Sequence, residues 1–589
     1  MSNDKTGNAF DFGLFKRLVA LTKPYRLTFW FVAIAAILIS VFAILTAVYA
    51  GDIVNLGIKT KDPAMLLKLT LMMFGFLLAE VISQLGFNYY ANWLGESVIK
   101  DVRITLFKKM LGFKMKYFDT SSLGVLVTRA VADMQRIGEI FSQGFFVIAA
   151  DMLKMLAAAG VMLWLNWRLA LIVFALLPVI LYATRLFQKA MKVAFKEVRA
   201  QVSNLNSFVQ ERITGMKIVQ LFTREEIEKE KFRIINEKHQ NAWLKTVWYN
   251  SIFFPIAEIV NALAIGLVVW FGVLQSVNNI DEKYAGTIIT FFFLINMLFR
   301  PLRQIADKFN TLQMGMVAAN RVFDILDTES RIDDLGAVSE VEVKGDIKFD
   351  NVHFSYVENE EVLHGVSFEV NAGETVAIVG ATGAGKSTII NLLNRFYEID
   401  SGSILVDDVA IDDYRLASLR GQIAVVLQDV FLFADTIANN ISLKNKTITL
   451  AEIETAAKQI GVDEFISSLP GGYQYNVKER GTMLSSGQRQ LIAFLRAYVS
   501  NPSILVLDEA TSSVDTYSEQ LIQRATEKIT EGRTSIIIAH RLATIKKADK
   551  ILVMDAGLVV ETGTHQELLA KGGYYRNLYE AQFLADEVA

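Results

Sequence analysis

Hydrophobic and polar positions along this chain fall into two regimes that meet near residue 325. From Leu27 to Ala50 no residue is charged, a run long enough to cross a hydrocarbon core, which takes roughly 20 helical residues. Further apolar stretches centre on Leu69 to Trp93, Ile140 to Trp164, Leu169 to Leu186, Trp248 to Leu274 and Tyr284 to Phe299, so the pattern predicts six membrane-spanning helices. An even number returns the chain to the side on which it started. The links between spans alternate in length. Brief connections stand around Lys59 to Pro63, Asn166 to Arg168 and Val277 to Lys283, whereas the other two links run from about Leu94 to Glu139 and from about Phe187 to Val247. Both long links keep helical periodicity with few breakers, so they should carry the spans well beyond the bilayer. Turn and cap residues mark their tips, at FDTSSLG (Phe118 to Gly124) and RITGMKI (Arg212 to Ile218).

The long links also hold most of the charge of this half, including Lys100, Arg103, Lys108, Arg129, Lys189, Lys192, Arg199 and Lys217, and basic residues beside span ends mark the cytoplasmic side. Ahead of the first span, Leu14, Leu18 and Leu21 share one helical face with Lys16, Arg17 and Lys23 off it, as in a helix lying in the membrane surface. The preceding MSNDKTGNAFDF lacks a basic region followed by a short apolar core, so no removable signal is expected. Beyond Pro301 the pattern turns amphipathic, and Thr328 to Val343 is acidic and without membrane character. A period-two alternation then begins at GDIKFDNVHFSY, the mark of strands. The expected organisation is an interfacial helix at 1–26, a six-helix transmembrane domain at 27–325 with two long cytoplasmic links, a linker at 326–344, an α/β domain at 345–582 and a tail at 583–589.

Composition agrees with a multidomain membrane protein: 589 residues, 52% of them hydrophobic, with a mean hydropathy of +0.33. Net charge is only -3, so no nucleic-acid partner is expected. Cysteine is absent, which excludes disulfides, thiolate catalysis and zinc–cysteine sites, and the five histidines are too dispersed to suggest a local metal cluster. Ionisable residues inside spans are costly and usually face protein or water; Glu80, Asp151, Lys154, Arg185, Glu258 and Arg300 qualify by position. Asp151 and Lys154 are three apart on one helix, so a mutual ion pair is expected at least as readily as a substrate contact. Asn261 and Asn296 either line a cavity or knit helices together.

The chemistry lies in the second half. A buried-strand run, Thr375 to Val379, feeds into GATGAGKS at Gly380 to Ser387, and Lys386, Ser387 and Thr388 open a helix. This strand–loop–helix context is the one a phosphate-binding loop requires. Gly380, Ala381, Thr382, Gly383, Ala384 and Gly385 would present backbone N–H groups to phosphates, the glycines sparing the ligand a Cβ clash, with the helix N-terminus adding positive potential. Lys386 would reach the β- and γ-phosphates of ATP and Ser387 would hold Mg²⁺. No guanine-selecting Asn-Lys-x-Asp follows, which argues against a GTPase. A second buried strand, Ile504 to Leu507, delivers Asp508 and Glu509 to its C-terminal edge. Asp508 suits the metal shell, through water. Glu509 suits the carboxylate that polarises an attacking water, since phosphoryl transfer depends on alignment and charge neutralisation.

Between these motifs stands LSSGQ at Leu484 to Gln488, and the ordered set resembles the nucleotide-binding domain of ATP-binding cassette (ABC) transporters, with the six spans resembling the exporter branch. The resemblance implies several further roles. Tyr356 would stack on adenine, Gln428 would touch Mg²⁺ and the attacking water, and His540 would contact the γ-phosphate. Ser485, Ser486, Gly487 and Gln488 would close over ATP held by an opposite subunit, although Ser486 stands where glycine is usual and so puts the local backbone geometry in question. Glu479, Arg480 and Gly481, with Phe118, Asp119, Gly215 and Met216 at the two tips, would couple ATPase to membrane helices, and Asp515 would contact the other subunit. It implies a dimer of this chain or a pairing with a homologous half-transporter, in a cytoplasmic (inner) membrane with the ATPase on the cytoplasmic side. The expected activity is ATP-driven export of an amphipathic drug-like molecule or lipid. The alternatives are a dedicated lipid or lipopolysaccharide-precursor flippase, or an ATP-gated channel or sensor.

Overall fold

The computed structural model describes residues 11–58, 61–278, 284–332, 334–339, 342–508, 516–539 and 541–582. The chain divides into two compact units: Met1–Leu111 with Ser122–Glu329, and Gly112–Ser121 with Ser330–Ala589.

The first unit is helical. Its principal helices are Arg26–Asp52, Pro63–Leu111, Phe146–Thr214, Glu225–Asn278 and Tyr284–Asp327. Among the described residues five helical stretches are long and apolar enough to cross a membrane, and the longest, Leu123–Thr214, is broken within its length. The break is at Asn166, whose backbone leaves the helix (φ -158°, ψ 100°) while its Oδ1 accepts from the N–H groups of Arg168 and Leu169 at 3.1 and 3.2 Å. That side chain caps the returning helix, so one stretch supplies two of the predicted spans. The 49 residues of Pro63–Leu111 make a rod about 70 Å long, against a hydrocarbon core of about 30 Å, so the helix extends far past its apolar window. Small residues permit the tightest crossing: a Cβ on Gly286 would lie 2.1 Å from the carbonyl oxygen of Gly51, and Asn55 Oδ1 accepts from Gly286 N–H at 2.9 Å beside it.

The charges inside this unit correct one expectation. Lys154 pairs with Glu80 at 3.6 Å, and Asp151 pairs with Lys308, so neither satisfies the other. Each partner lies on a different helix. Packing sets the nearest opposite charge in a bundle interior, and a half-buried cross-helix pair there outcompetes an i,i+3 spacing. Asn261 donates to Asn296 Oδ1 at 3.4 Å, which favours knitting helices together. The N-terminal helix, Phe12–Ala20, is capped by Asp11 and tied down through the ion pair of Arg17 with Asp327, with Leu18 buried.

The second unit is built on two sheets. The strands are β1 (Ile347–Val357), β2 (Glu360–Val370), β3 (Thr375–Gly380), β4 (Ser401–Val406), β5 (Val409–Ala410), β6 (Ile423–Val426), β7 (Ile504–Asp508), β8 (Thr534–Ile538), β9 (Lys550–Asp555) and β10 (Leu558–Gly563). An antiparallel sheet runs β2-β1-β4-β5, and a second sheet runs β10-β9-β3-β8-β7-β6, parallel except for β10. Sequence pattern explains the difference. β1 alternates buried and exposed positions, as one covered face demands, whereas β3, β7 and β8 are nearly continuous runs of buried Val, Ile, Leu and Ala, as a sheet covered on both faces demands. Parallel strands point their C-terminal ends the same way, and the register aligns Leu507 with Val426, Asp508 with Ile538, and Ile378 with Ile538. The ends of β3, β6, β7 and β8 therefore form one edge, where α/β sheets place their ligand chemistry.

The chain from Ser330 onward groups with this unit. Val338 N–H donates to Asp413 at 3.0 Å, Asp334 accepts from Leu416 N–H at 2.9 Å, and Val343 is buried in the sheet core. Segment 112–121 groups here too, although the chain on both sides of it belongs to the helical unit.

Candidate functional site

The loop after β3 wraps the start of the helix Lys386–Leu393, and its three glycines serve different ends. A Cβ on Gly380 would stand 2.2 Å from the carbonyl oxygen of Met554, and one on Gly385 would stand 2.7 Å from Leu363. Both positions are filled by the protein itself. Only at Gly383, in the left-handed region at φ 86°, would a Cβ meet no atom within 4 Å, so this is the glycine that leaves room for a ligand.

Lys386 is 8% exposed, and its Nζ donates to the carbonyl oxygens of Gly380 and Ala381, both at 2.8 Å. Burial pushes its pKa down and the Asp508 carboxylate opposes that shift. The Nζ hydrogen bonds to Gly380 and Ala381 go to neutral carbonyls, so a polyphosphate would add charge-assisted partners to an ammonium that is costly to bury. Ser387 Oγ lies 3.5 Å from Asp508 Oδ2, which places a hydroxyl and a carboxylate at one point on the sheet edge. Such an all-oxygen donor set fits a hard cation of the Mg²⁺ type. Gln428 is exposed two residues past the end of β6, beside β7.

Tyr356, at the end of β1, donates to Thr388 Oγ1 at 3.3 Å and accepts from Asn391 Nδ2 at 3.1 Å, so its hydroxyl is fixed to the helix that follows the phosphate loop. Its ring packs edge-to-face with Phe354 and Tyr397, at centroid distances of 4.7 and 5.0 Å. Ser485 caps the helix Ser486–Val499, its hydroxyl accepting from Gln488 N–H at 3.2 Å while Gln488 Oε1 accepts from Ser485 N–H at 2.9 Å. This reciprocal capping box resolves the question over Ser486. It occupies the first helical position, where a Cβ costs no strain. Gly487 is buried beneath it. Upstream, the Glu479–Gly481 turn is strained: Lys478 sits at φ 59°, ψ -170° and Arg480 at φ 53°, ψ 18°.

The two tips differ. In segment 112–121 the short helix Met115–Thr120 carries Phe118 and Asp119; Asp119 accepts a hydrogen bond from the Tyr397 hydroxyl, and Lys114 pairs with Glu398 at 2.6 Å. Gly215 closes the helix Phe146–Thr214 and leads into Met216–Leu221, where Met216, Ile218, Leu221 and Phe222 are exposed. Sequence reading overlooked Tyr397 and Glu398, which belong to no motif and stand 278 or more positions from their partners in the tip. Glu509, Asp515 and His540 lie outside the described residues.

Comparison with known proteins gives a consistent result. Residues 29–302 match the model of the ABC transporter transmembrane region, and residues 363–512 match that of the ABC transporter. The chain is 36% identical to the uncharacterized ABC transporter ATP-binding protein YknV of Bacillus subtilis (strain 168), over 98% of this chain and 95% of that one. It is 35% identical to the ATP-dependent lipid A-core flippase of Sodalis glossinidius (strain morsitans), over 99% of this chain and 100% of that one. Among solved structures, a bacterial Atm1-family ABC exporter with ATP bound superposes with a TM-score of 0.74 at 27% identity, covering 97% of this chain and 99% of that one.

Proposed function

The chain belongs to the ABC transporters, as an ATP-hydrolysing exporter with one multi-pass membrane region and one nucleotide-binding domain, and from that premise we propose that it carries an amphipathic or lipid substrate outward across the cytoplasmic membrane. Full-length similarity to a lipid A-core flippase supports a lipid-like cargo. The observation that carries the catalytic reading is the buried Lys386 ammonium at the start of the helix after β3, beside the Ser387–Asp508 oxygen pair at the sheet edge.

In this reading the loop 380–388 binds the phosphates, with Lys386 neutralising them and Tyr356 stacking on adenine. Ser387, Gln428 and Asp508 would hold Mg²⁺, which when bound supplies charge neutralisation of the phosphate oxygens. Glu509 aligns and polarises the attacking water, and His540 stabilises charge on the γ-phosphate. Each chain holds one phosphate loop and one Ser485–Gln488 helix start, exposed at Ser485 and Ser486, a donor surface that its own phosphate loop does not need. Two copies of this chain would thus complete two sites between them, with Asp515 at the contact, and a homologous half-transporter is the alternative partner. The exposed apolar tip at Met216–Leu221 suits docking on that partner's ATPase unit. ATP must bind the closed dimer far more tightly than the open one to drive the membrane helices between inward- and outward-facing states.

Sealed vesicles containing the purified chain test the proposal. ATP-dependent accumulation of a fluorescent lipid or amphiphile is expected, and Glu509→Gln should lower turnover about 100-fold while leaving ATP affinity within about threefold. ATP hydrolysis without cargo movement would favour a channel or sensor instead.

A further inference from the structure

Tyr397 touches both the coupling segment and the aromatic at the nucleotide site, and no motif accounts for it. Its hydroxyl donates to Asp119, while its ring stands at 89° to that of Tyr356 and 66° to that of Phe354. Tyr356 continues the connection by donating to Thr388, at the start of the phosphate-loop helix. One contact path therefore runs from Asp119 through two aromatic rings to the nucleotide site. Its midpoint is rigid: Arg420 donates to the carbonyls of Asn394 and Arg395 at 3.0 and 2.9 Å, buried Arg395 pairs with Asp412 at 3.0 Å, and Asp400 N–H donates to His353 of β1 at 2.9 Å.

The neighbouring Lys114–Glu398 pair is an exposed ion pair of the kind that contributes little. The phenol–carboxylate bond, donated by half-buried Tyr397, is the stronger candidate for holding the segment, because a hydrogen bond to an ionised acceptor exceeds a neutral one. Burial first, then the adjacent Asp119, raises the Tyr397 pKa, so the hydroxyl remains a donor throughout the physiological range.

We propose that Tyr397 is a positioning residue of the nucleotide site: its ring sets the plane of Tyr356, where adenine stacks, and its hydroxyl holds Asp119, so that base binding and docking of segment 112–121 are linked. The proposal rests on the ATPase reading above. Linkage is reciprocal, so whatever strengthens docking strengthens nucleotide binding by the same factor. Because the chain enters segment 112–121 from Pro63–Leu111 and leaves it toward Leu123–Thr128, nucleotide binding would reach the membrane helices at both ends of a ten-residue clip.

The test uses the full chain in lipid nanodiscs. Tyr397→Phe removes the hydroxyl and keeps the ring, so it should fold. In that variant the KM for ATP should rise about five- to tenfold, more than kcat falls. Saturating AMP-PNP should slow amide exchange of residues 112–121 in the parent chain but not in Tyr397→Phe. Asp119→Asn keeps an acceptor but loses the charge, so its rise in KM and its loss of protection should both be smaller than those of Tyr397→Phe. A Tyr397→Phe variant with parental KM and parental nucleotide-dependent protection overturns the proposal, as does a loss of protection spread over the whole ATPase unit, which would mark a folding defect. If the parent chain itself fails to hydrolyse ATP, the ATPase assignment fails instead, and the two failures are told apart by that control.

Discussion

Lys386 shows how one side chain joins folding to function. Its ammonium is buried and donates to two backbone carbonyls, with the Asp508 carboxylate offsetting part of its desolvation, so folding fixes a cation where phosphates would dock. Lys386→Ala should lower kcat/KM for ATP by two to three orders of magnitude, of the order found when a preorganised charge-stabilising donor is lost, as steady-state ATPase assays would show. Thermal stability should change little, because removal of a buried charge relieves desolvation as it deletes packing. Ser486 illustrates a local case. A departure from the usual glycine that put the backbone geometry in question sits at the first helical position, where no left-handed backbone is required.

At the scale of elements, strain and caps concentrate around the ATPase helices. Lys478 occupies a region of backbone space that is almost exclusive to glycine, immediately before the Glu479–Gly481 turn proposed to take part in coupling. Lys478→Gly should therefore stabilise the protein by about 1 kcal/mol despite the added freedom of the unfolded chain, read as a rise in thermal midpoint. Asp435 precedes the helix Ile437–Ser442 and is held down to about 2 by hydrogen bonds from Asn439, Lys444 and Thr436 N–H. A carboxyl lowered on folding contributes stability that is complete above its unfolded value near 4 and disappears as pH falls through its folded value near 2. The stability gap between the parent chain and Asp435→Asn, measured by chemical denaturation, should accordingly be present at pH 7 and close across that acidic window.

For the whole molecule, the central expectation is that activity belongs to a pair of chains. Each copy supplies a phosphate loop and a Ser485–Gln488 cap, and the proposed site needs one of each from different copies. Specific ATPase activity in detergent should rise with protein concentration until the dimer dominates, and nanodiscs holding one chain should be nearly inactive. Full activity from single chains would remove the composite site from consideration.

Legibility from sequence tracked the range of the interactions involved. The membrane spans, the parallel strands and the phosphate loop were readable because hydrophobic period, glycine content and cap residues act within a few positions of each other. The turn at Asn166 was visible for the same reason: its capping bonds reach only two and three residues ahead. The pairing of Lys154 with Glu80, of Asp151 with Lys308 and of Asp119 with Tyr397 was not readable, since local spacing carries no information about which distant helix or turn will be nearest. The same holds for the glycines of the phosphate loop, which sequence treats as equivalent. Their division of labour emerged only when β9 and β2 brought Met554 against Gly380 and Leu363 against Gly385, leaving Gly383 alone open to a ligand. Short-range chemistry is written in neighbouring letters, whereas contacts across hundreds of residues exist only after burial has brought their partners together.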